Sequence, residues 1–315
     1  MFMTNKRKLA QVLIGIAILA LLFYKIDIHE VMEAIRSVNI MLFVAAACSY
    51  LCYNLFMAYR LYYLLGTMDS KVGFTHSFFA HIAGMIASDV TPGRAGFFLV
   101  PYFLKNRTNT SITVAMAAIL APQGIEFILK VVGGSIGLVF FITVISMDIS
   151  ASMLVSLCIG CCIFAGLGVI ILWTLWTRET LSGSLLARIP FIRQFQDEYK
   201  SMKEKSFLIR DSIHVILILY LICWLFLALQ WQLIGLSLGI TGLSFWTYFL
   251  LHPLITILRF VPVTVSGLGL MEGTTALMFL LLGIPNGEVL GLSFALVVRL
   301  NMILVNCIGL KGVFS

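Results

Sequence analysis

The sequence predicts an all-α membrane protein, a polytopic transmembrane helical bundle of about seven or eight spans with two broken or re-entrant segments and a possible inverted repeat. Three observations predict it. Of 315 residues, 61% are hydrophobic and only 11% charged, whereas a soluble domain carries roughly 25% charged residues. Apolar runs near the roughly 20 residues that a bilayer crossing needs recur along the chain. Finally, two segments, Ser88–Gly96 and Val261–Glu272, set proline, paired glycines and a charge inside apolar sequence. Proline and glycine weaken a helix, and a charge is costly in lipid. Irregular backbone at that depth survives only where it is buried in protein or lines a cavity. One broken segment in each half is the sequence mark of a transporter's binding site.

Taken in order, Lys6, Arg7 and Lys8 precede a first apolar run ending near Tyr24. It has the form of a signal peptide, but no small-x-small cleavage site follows, so an uncleaved span is expected. Residues 26–38 gather Ile28, Val31, Met32 and Ile35 on one face, as an amphipathic helix lying on the membrane surface does. A span over Ile40–Leu65 follows, with Tyr50, Tyr53, Tyr59, Tyr62 and Tyr63 as an aromatic belt. From Phe74 to Leu104 the apolar pattern is interrupted by His76, His81, Ser88, Asp89, Pro92 and Arg94, which predicts a re-entrant hairpin with its tip near Pro92–Gly96. Ser111–Ile145 is either one long kinked span or a short helix plus a span, broken at Pro122 and carrying Glu126 and Lys130 at i,i+4. Further spans are expected at Ala151–Trp173, Ile213–Leu236, Phe245–Phe260, Glu272–Leu282 and Val289–Leu310, with a polar loop between Thr177 and Ser212.

This organisation is a single integral membrane domain over 1–315. A first half, 1–175, holds the re-entrant segment 74–104; a loop spans 176–212; a second half, 213–315, holds the broken segment 261–272. The basic N-terminus, Lys105, Arg107, the 176–212 loop and Lys311 fall on one side, so both termini are expected in the cytoplasm of a multi-pass cell (plasma) membrane protein. The net charge of +7 then belongs to the bilayer interface, and no nucleic-acid partner is expected. The sequons at Asn106 and Asn109 lie on the cytoplasmic side, where glycosylation is not expected. All seven cysteines sit in apolar stretches, so no disulfide is expected. The Cys158–Cys161 spacing lacks a second pair or nearby histidine and reads as packing rather than a metal site. No cofactor is expected either, because Gly267 and Gly269 lack the strand–helix context of a dinucleotide loop.

The chemistry therefore rests on intramembrane charges: Arg94, Glu126, Lys130, Arg259, Glu272 and Arg299, joined by His81 and Asp89. In lipid each needs a partner or a wet cavity. In the functional reading Arg94 and Arg299 hold an anionic headgroup, since the guanidinium fork matches phosphate oxygens. Gly93, Gly96, Gly267 and Gly269 would let backbone approach it, and Glu272 would interact with a helix N-terminus or pair an arginine. The structural alternative is a salt bridge that only locks the bundle, for example Glu272 with Arg299. Lys130 would serve only Glu126, and Arg259 would snorkel to the interface.

At these motifs the chain resembles the flippase-like family, also called the lysylphosphatidylglycerol synthase transmembrane region family. Its pattern is an arginine near the end of the second span, a Pro-x-Arg-x-Gly-Glu-type motif, a Pro…Ser-Gly-x-Gly-x-x-Glu motif and an arginine in the last span. Arg60 fits the first; Pro92, Arg94 and Gly96 the second; Pro262, Gly267, Gly269 and Glu272 the third; Arg299 the fourth. Glu126 falls where the family often has an acidic residue. The chain departs at Phe97, where the family usually has glutamate, so Asp89 or Glu126 would have to balance Arg94. Family members fused to a soluble aminoacyl-transferase domain make and flip aminoacylated phosphatidylglycerol. This chain resembles the membrane part alone, so lipid synthesis is not expected.

The resemblance and the broken segments together imply a non-enzymatic lipid translocator that binds a polar or anionic headgroup in a charged cavity. The expected partner is a membrane lipid, whether phospholipid, glycolipid or polyprenyl phosphate, with a homo-oligomer or a separate lipid-modifying enzyme as further partners. Three rivals stay open: a secondary transporter of a soluble anion, a membrane transferase using His81 or Asp89 beside Arg94, and a scaffold in which the buried charges only pack.

Overall fold

The computed structural model describes residues 26–143, 151–177, 196–257 and 263–310, together with Leu13, Ile14, Ile16, Ile18, Ala20, Leu21, Leu22 and Tyr24. Its regular elements are all helical. The expected first span lies mostly outside the described residues, as do Arg259 and Pro262.

Helix α1 (Ile28–Arg36) begins at Asp27, whose side chain accepts from the His29 N–H at 2.8 Å. Its outer face leaves Ile28 and Met32 exposed, while Val31 is buried in a seam with Ile26, Ala276 and Leu292. The surface helix is thus docked on the protein as well as facing outward. Asn39 caps α2 (Ile40–Thr67), accepting from Met41 and Leu42 N–H groups. On α2 the expected aromatic belt divides. Tyr59 and Tyr62 are exposed, but Tyr50 and Tyr53 are buried and stacked with ring centroids 5.4 Å apart. These two belong to the interior, not the interface.

Helix α3 (Phe74–Asp89) ends at the first break. A 3-10 turn (Ala95–Leu99) and the short α4 (Val100–Lys105) then pack back against α3. Helix α5 (Ile112–Thr143) runs continuously through Pro122, so of the two alternatives the single long helix holds. Helix α6 (Ala151–Trp176) follows, and α7 (Gln196–Arg210) lies in what the sequence presents as an irregular polar loop. The second half has α8 (Ile213–Ser237), α9 (Phe245–Thr256), α10 (Leu270–Leu281) and α11 (Gly287–Asn306), which runs into a 3-10 turn at Cys307–Gly309. Among the described residues, five segments are long and apolar enough to cross a membrane: α2, α5, Cys158–Trp176, α8 and Gly287–Gly309.

Part of each half follows a similar helix order, with α6 standing outside it. In the first, a long helix (α2) leads to a broken pair (α3, α4) and a second long helix (α5). In the second, α8 leads to the pair α9 and α10, then to α11. The packing follows the same exchange. The most extensive contacts join α2 to α8, α3 packs on α2 and on the end of α11, and α9 packs on α8 and on α5. Each broken helix therefore touches the first long helix of its own half and a long helix of the other, α3 meeting α11 and α9 meeting α5. Close approach depends on absent side chains. A Cβ on Gly137 would lie 2.7 Å from the Leu250 carbonyl oxygen of α9, and one on Gly291 would lie 2.6 Å from Ala276 Cα of α10. Small residues serve this purpose where the lipid offers helices no hydrophobic drive to associate.

Helix α7 differs from the irregular loop expected over 176–212, and the reason is local. Asp197 and Glu198 stand in its first turn and Arg210 in its last, complementing the helix dipole. It docks through polar contacts as well as apolar ones. Ser206 accepts from Trp176 Nε1 at 3.0 Å, and the Tyr199 hydroxyl donates to the Thr174 carbonyl at 2.7 Å.

Candidate functional site

The two broken segments meet. Pro92 and Val265 form an isolated antiparallel bridge, and the Ser266 N–H donates to the Thr91 carbonyl at 3.2 Å. In each segment the residue after the bridge begins a left-handed pair: Gly93 and Arg94 at φ 57° and 59°, Ser266 and Gly267 at 47° and 70°. Arg94 and Ser266 carry side chains there, a strain of about 1 kcal/mol or more each that persists where surrounding contacts enforce it. Thr91 enforces the first turn. Its hydroxyl donates to the Ala87 carbonyl at 3.0 Å and accepts from the Gly96 N–H at 2.7 Å. Gly96 must be bare, since a Cβ would lie 2.2 Å from Ala87 O and 2.3 Å from Ala87 C. Gly96→Ala is therefore expected to destabilise the chain by about 1–3 kcal/mol or more, read as a lower unfolding midpoint in detergent.

The turn delivers Arg94 into a mostly apolar chamber that a few charged and polar side chains enter. Its Nε and Nη2 donate to Ser88 Oγ at 3.3 and 3.2 Å, and Nη2 also reaches Met85 Sδ at 3.3 Å. Two adjoining cavities of about 60 and 140 Å³ share Tyr53, Met57, Arg94 and Glu126 as walls. Both are large enough to admit ordered water. The smaller one reaches into the second half, to Tyr220, Cys223, His252 and Thr256. The larger is lined by Phe97, Phe98, Gln123, Phe164 and Leu167. Phe98 and Leu167 are 41% and 43% exposed, so surface apolar side chains of the first break and α6 border this cavity.

Glu126 is the hub. Lys130 Nζ lies 3.0 Å from its Oε1, Gln123 Nε2 donates to Oε2 at 3.3 Å, and the Tyr220 hydroxyl lies 3.3 Å from Oε2 while donating to the Pro122 carbonyl. Above the Tyr220 ring, 4.7 Å from its centroid, sits the Arg60 guanidinium. Arg60 is 3% exposed, and its Nε and Nη1 have no hydrogen-bond acceptor among the described residues.

Glu272 and Arg299 form the second constellation. Glu272 is wholly enclosed; its Oε1 accepts from Arg299 Nε at 2.7 Å and its Oε2 from the Gly269 N–H at 2.8 Å. Arg299 Nη1 reaches the Ser266 carbonyl at 3.4 Å. Gly269, at φ 82°, starts α10, and its N–H is taken by Glu272. Neither member of this ion pair is among the residues lining the two cavities. Together they fix the second break where it meets the first.

Two other sequence candidates are held aside. His81 is 1% exposed, and its Nε2 donates to Asn54 Oδ1 at 3.2 Å while Phe97 packs edge-on against its ring. Asp89 accepts from Asn306 Nδ2 at 2.7 Å, joining the end of α3 to the end of α11. Tyr53, Gln123, Tyr220 and His252 line the chamber without having stood out in the sequence. The signal was available for the tyrosines, because a phenol deep in an apolar helix needs a polar partner.

A multi-pass helical membrane protein with charged side chains reaching into an internal chamber is the class that this fold and site define. The chain belongs to the lysylphosphatidylglycerol synthase TM region family, whose model matches residues 8–309. Neither a curated protein nor a solved structure matches it. The family ties the chain to membrane lipids.

Proposed function

We propose that the chain translocates a lipid by drawing its polar headgroup into the Arg94–Glu126 chamber while the tails stay in the bilayer. The observation that carries this reading is the chamber's shape and lining. Charged and hydroxyl groups converge at its centre, and its mouth is made of outward-facing apolar side chains at Phe98 and Leu167. A soluble solute gains nothing from an apolar side entrance; an amphiphile requires one. Arg94 and Glu126 contact the headgroup, and the Glu272–Arg299 pair holds the second break against the first. No reaction is assigned. Of the two bases a transferase would use, His81 is buried against Asn54 and Phe97, Asp89 is held by Asn306, and neither lines the two cavities.

A lipid with a photoactivatable headgroup, irradiated in liposomes with the purified chain, tests the entry route. Label is expected on the peptides carrying Tyr53, Glu126 and Tyr220. Label confined to the outward faces of α6 and α8 would exclude the chamber as the headgroup site.

A further inference from the structure

The charges around the chamber do not balance, and the imbalance has an address. Glu126 is matched by Lys130 at 3.0 Å. Arg94 lies within electrostatic reach of Asp89. Arg60 acts on Glu126 from a distance, but that carboxylate already has its cation. Among the described residues no carboxylate forms an ion pair with Arg60, and two of its nitrogens are buried without an acceptor. A guanidinium stays protonated however it is buried, and a buried charge without a partner is costly enough that intramembrane examples mark function. The Tyr220 face offers it a cation–π contact, which is weaker compensation than a carboxylate. The other face of the imbalance is Phe97, an apolar ring in the wall of the larger cavity.

We infer that Arg60 is a charge-selectivity residue: a fixed cation one aromatic ring behind the chamber, which makes the chamber take a phosphate-bearing group of net negative charge over zwitterionic or aminoacylated ones. The inference rests on the chamber being the headgroup site and adds the class of headgroup. Arg60 does not touch the ligand. It acts through the field it sets across Tyr220, whose hydroxyl lies 3.3 Å from the Glu126 carboxylate. At an effective dielectric near 20, a unit charge acting across one aromatic ring gives a preference on the order of tenfold.

The test compares exchange rates in liposomes doped with fluorescent anionic, zwitterionic or aminoacylated phospholipid, and uptake of radiolabelled inorganic phosphate, for the wild type, Arg60→Met and Arg60→Lys. The wild type is expected to move the anionic lipid about tenfold faster than the zwitterionic one. Arg60→Met brings the ratio close to one and Arg60→Lys retains it. The methionine variant melts no lower than the wild type, because it removes an unmatched buried charge. A residue that merely braces the bundle would instead lower the melting point and leave the ratio alone. Wild-type exchange with no headgroup preference, or a preference that survives Arg60→Met, overturns the inference and leaves the lipid reading standing. Phosphate uptake that depends on Arg60, without lipid exchange, supports the anion preference and moves its source to solution. Neither activity overturns both.

Discussion

Glu272→Ala will destabilise the folded chain by about 3–5 kcal/mol. The carboxylate is fully enclosed and does two things at once, capping α10 through the Gly269 N–H and neutralising Arg299 at 2.7 Å. Its removal leaves the Arg299 side chain, only 14% exposed, without a counter-charge. It also frees the second break from the helix that follows. Denaturant unfolding in mild detergent reads the loss. Replacing both partners, Glu272→Leu with Arg299→Met, is expected to recover most of it, because a buried pair exchanged for apolar side chains of similar volume is often neutral. The double variant should still exchange lipid at a reduced rate. Complete loss of exchange in a folded double variant would move the pair from holding the junction to handling the headgroup.

Arg94→Asn will lower lipid exchange on the order of 10- to 100-fold, the value of one or two charge-assisted hydrogen bonds. Asparagine is chosen because the position is left-handed at φ 59°, a conformation that asparagine tolerates. The loop is held mainly by groups other than the guanidinium, which adds only hydrogen bonds to Ser88 and Met85. Thr91 and Gly96 tie the turn, and the Pro92–Val265 bridge holds it to the second half. The unfolding midpoint should therefore stay close to that of the wild type. A variant that unfolds with the exchange lost would instead make Arg94 part of the loop's scaffold.

Much of this arrangement was legible in the sequence because membrane elements announce themselves by length and apolarity. The long helices fall within a few residues of their expected places, and both breaks lie where proline and glycine interrupt apolar sequence. The i,i+4 pair of Glu126 and Lys130 and the Glu272–Arg299 pair follow from the need of each intramembrane charge for a partner. Other features escaped because they depend on packing between distant segments. Tyr50 and Tyr53 look like an interfacial belt until α8 covers them. Tyr220 becomes part of the chamber only because α8 packs on α2 and its hydroxyl reaches the Pro122 carbonyl of α5. Helix α7 has no apolar stripe to signal it, and its fold is written in end charges and in Ser206, which meets Trp176 from another helix. The meeting of the two breaks had no local signal at all, since it is a backbone bridge between residues far apart in the chain.

The central claim is that the chamber carries a lipid headgroup across the bilayer. Its most direct measurement is leaflet exchange, read by bleaching the outer-leaflet fluorophore of labelled phospholipids in sealed liposomes with and without the purified chain. Bleaching beyond the outer-leaflet half, dependent on the chain and reduced by Arg94→Asn in folded protein, is the predicted result. Sealed liposomes in which the inner-leaflet half stays protected, whether or not the chain is present, would contradict it.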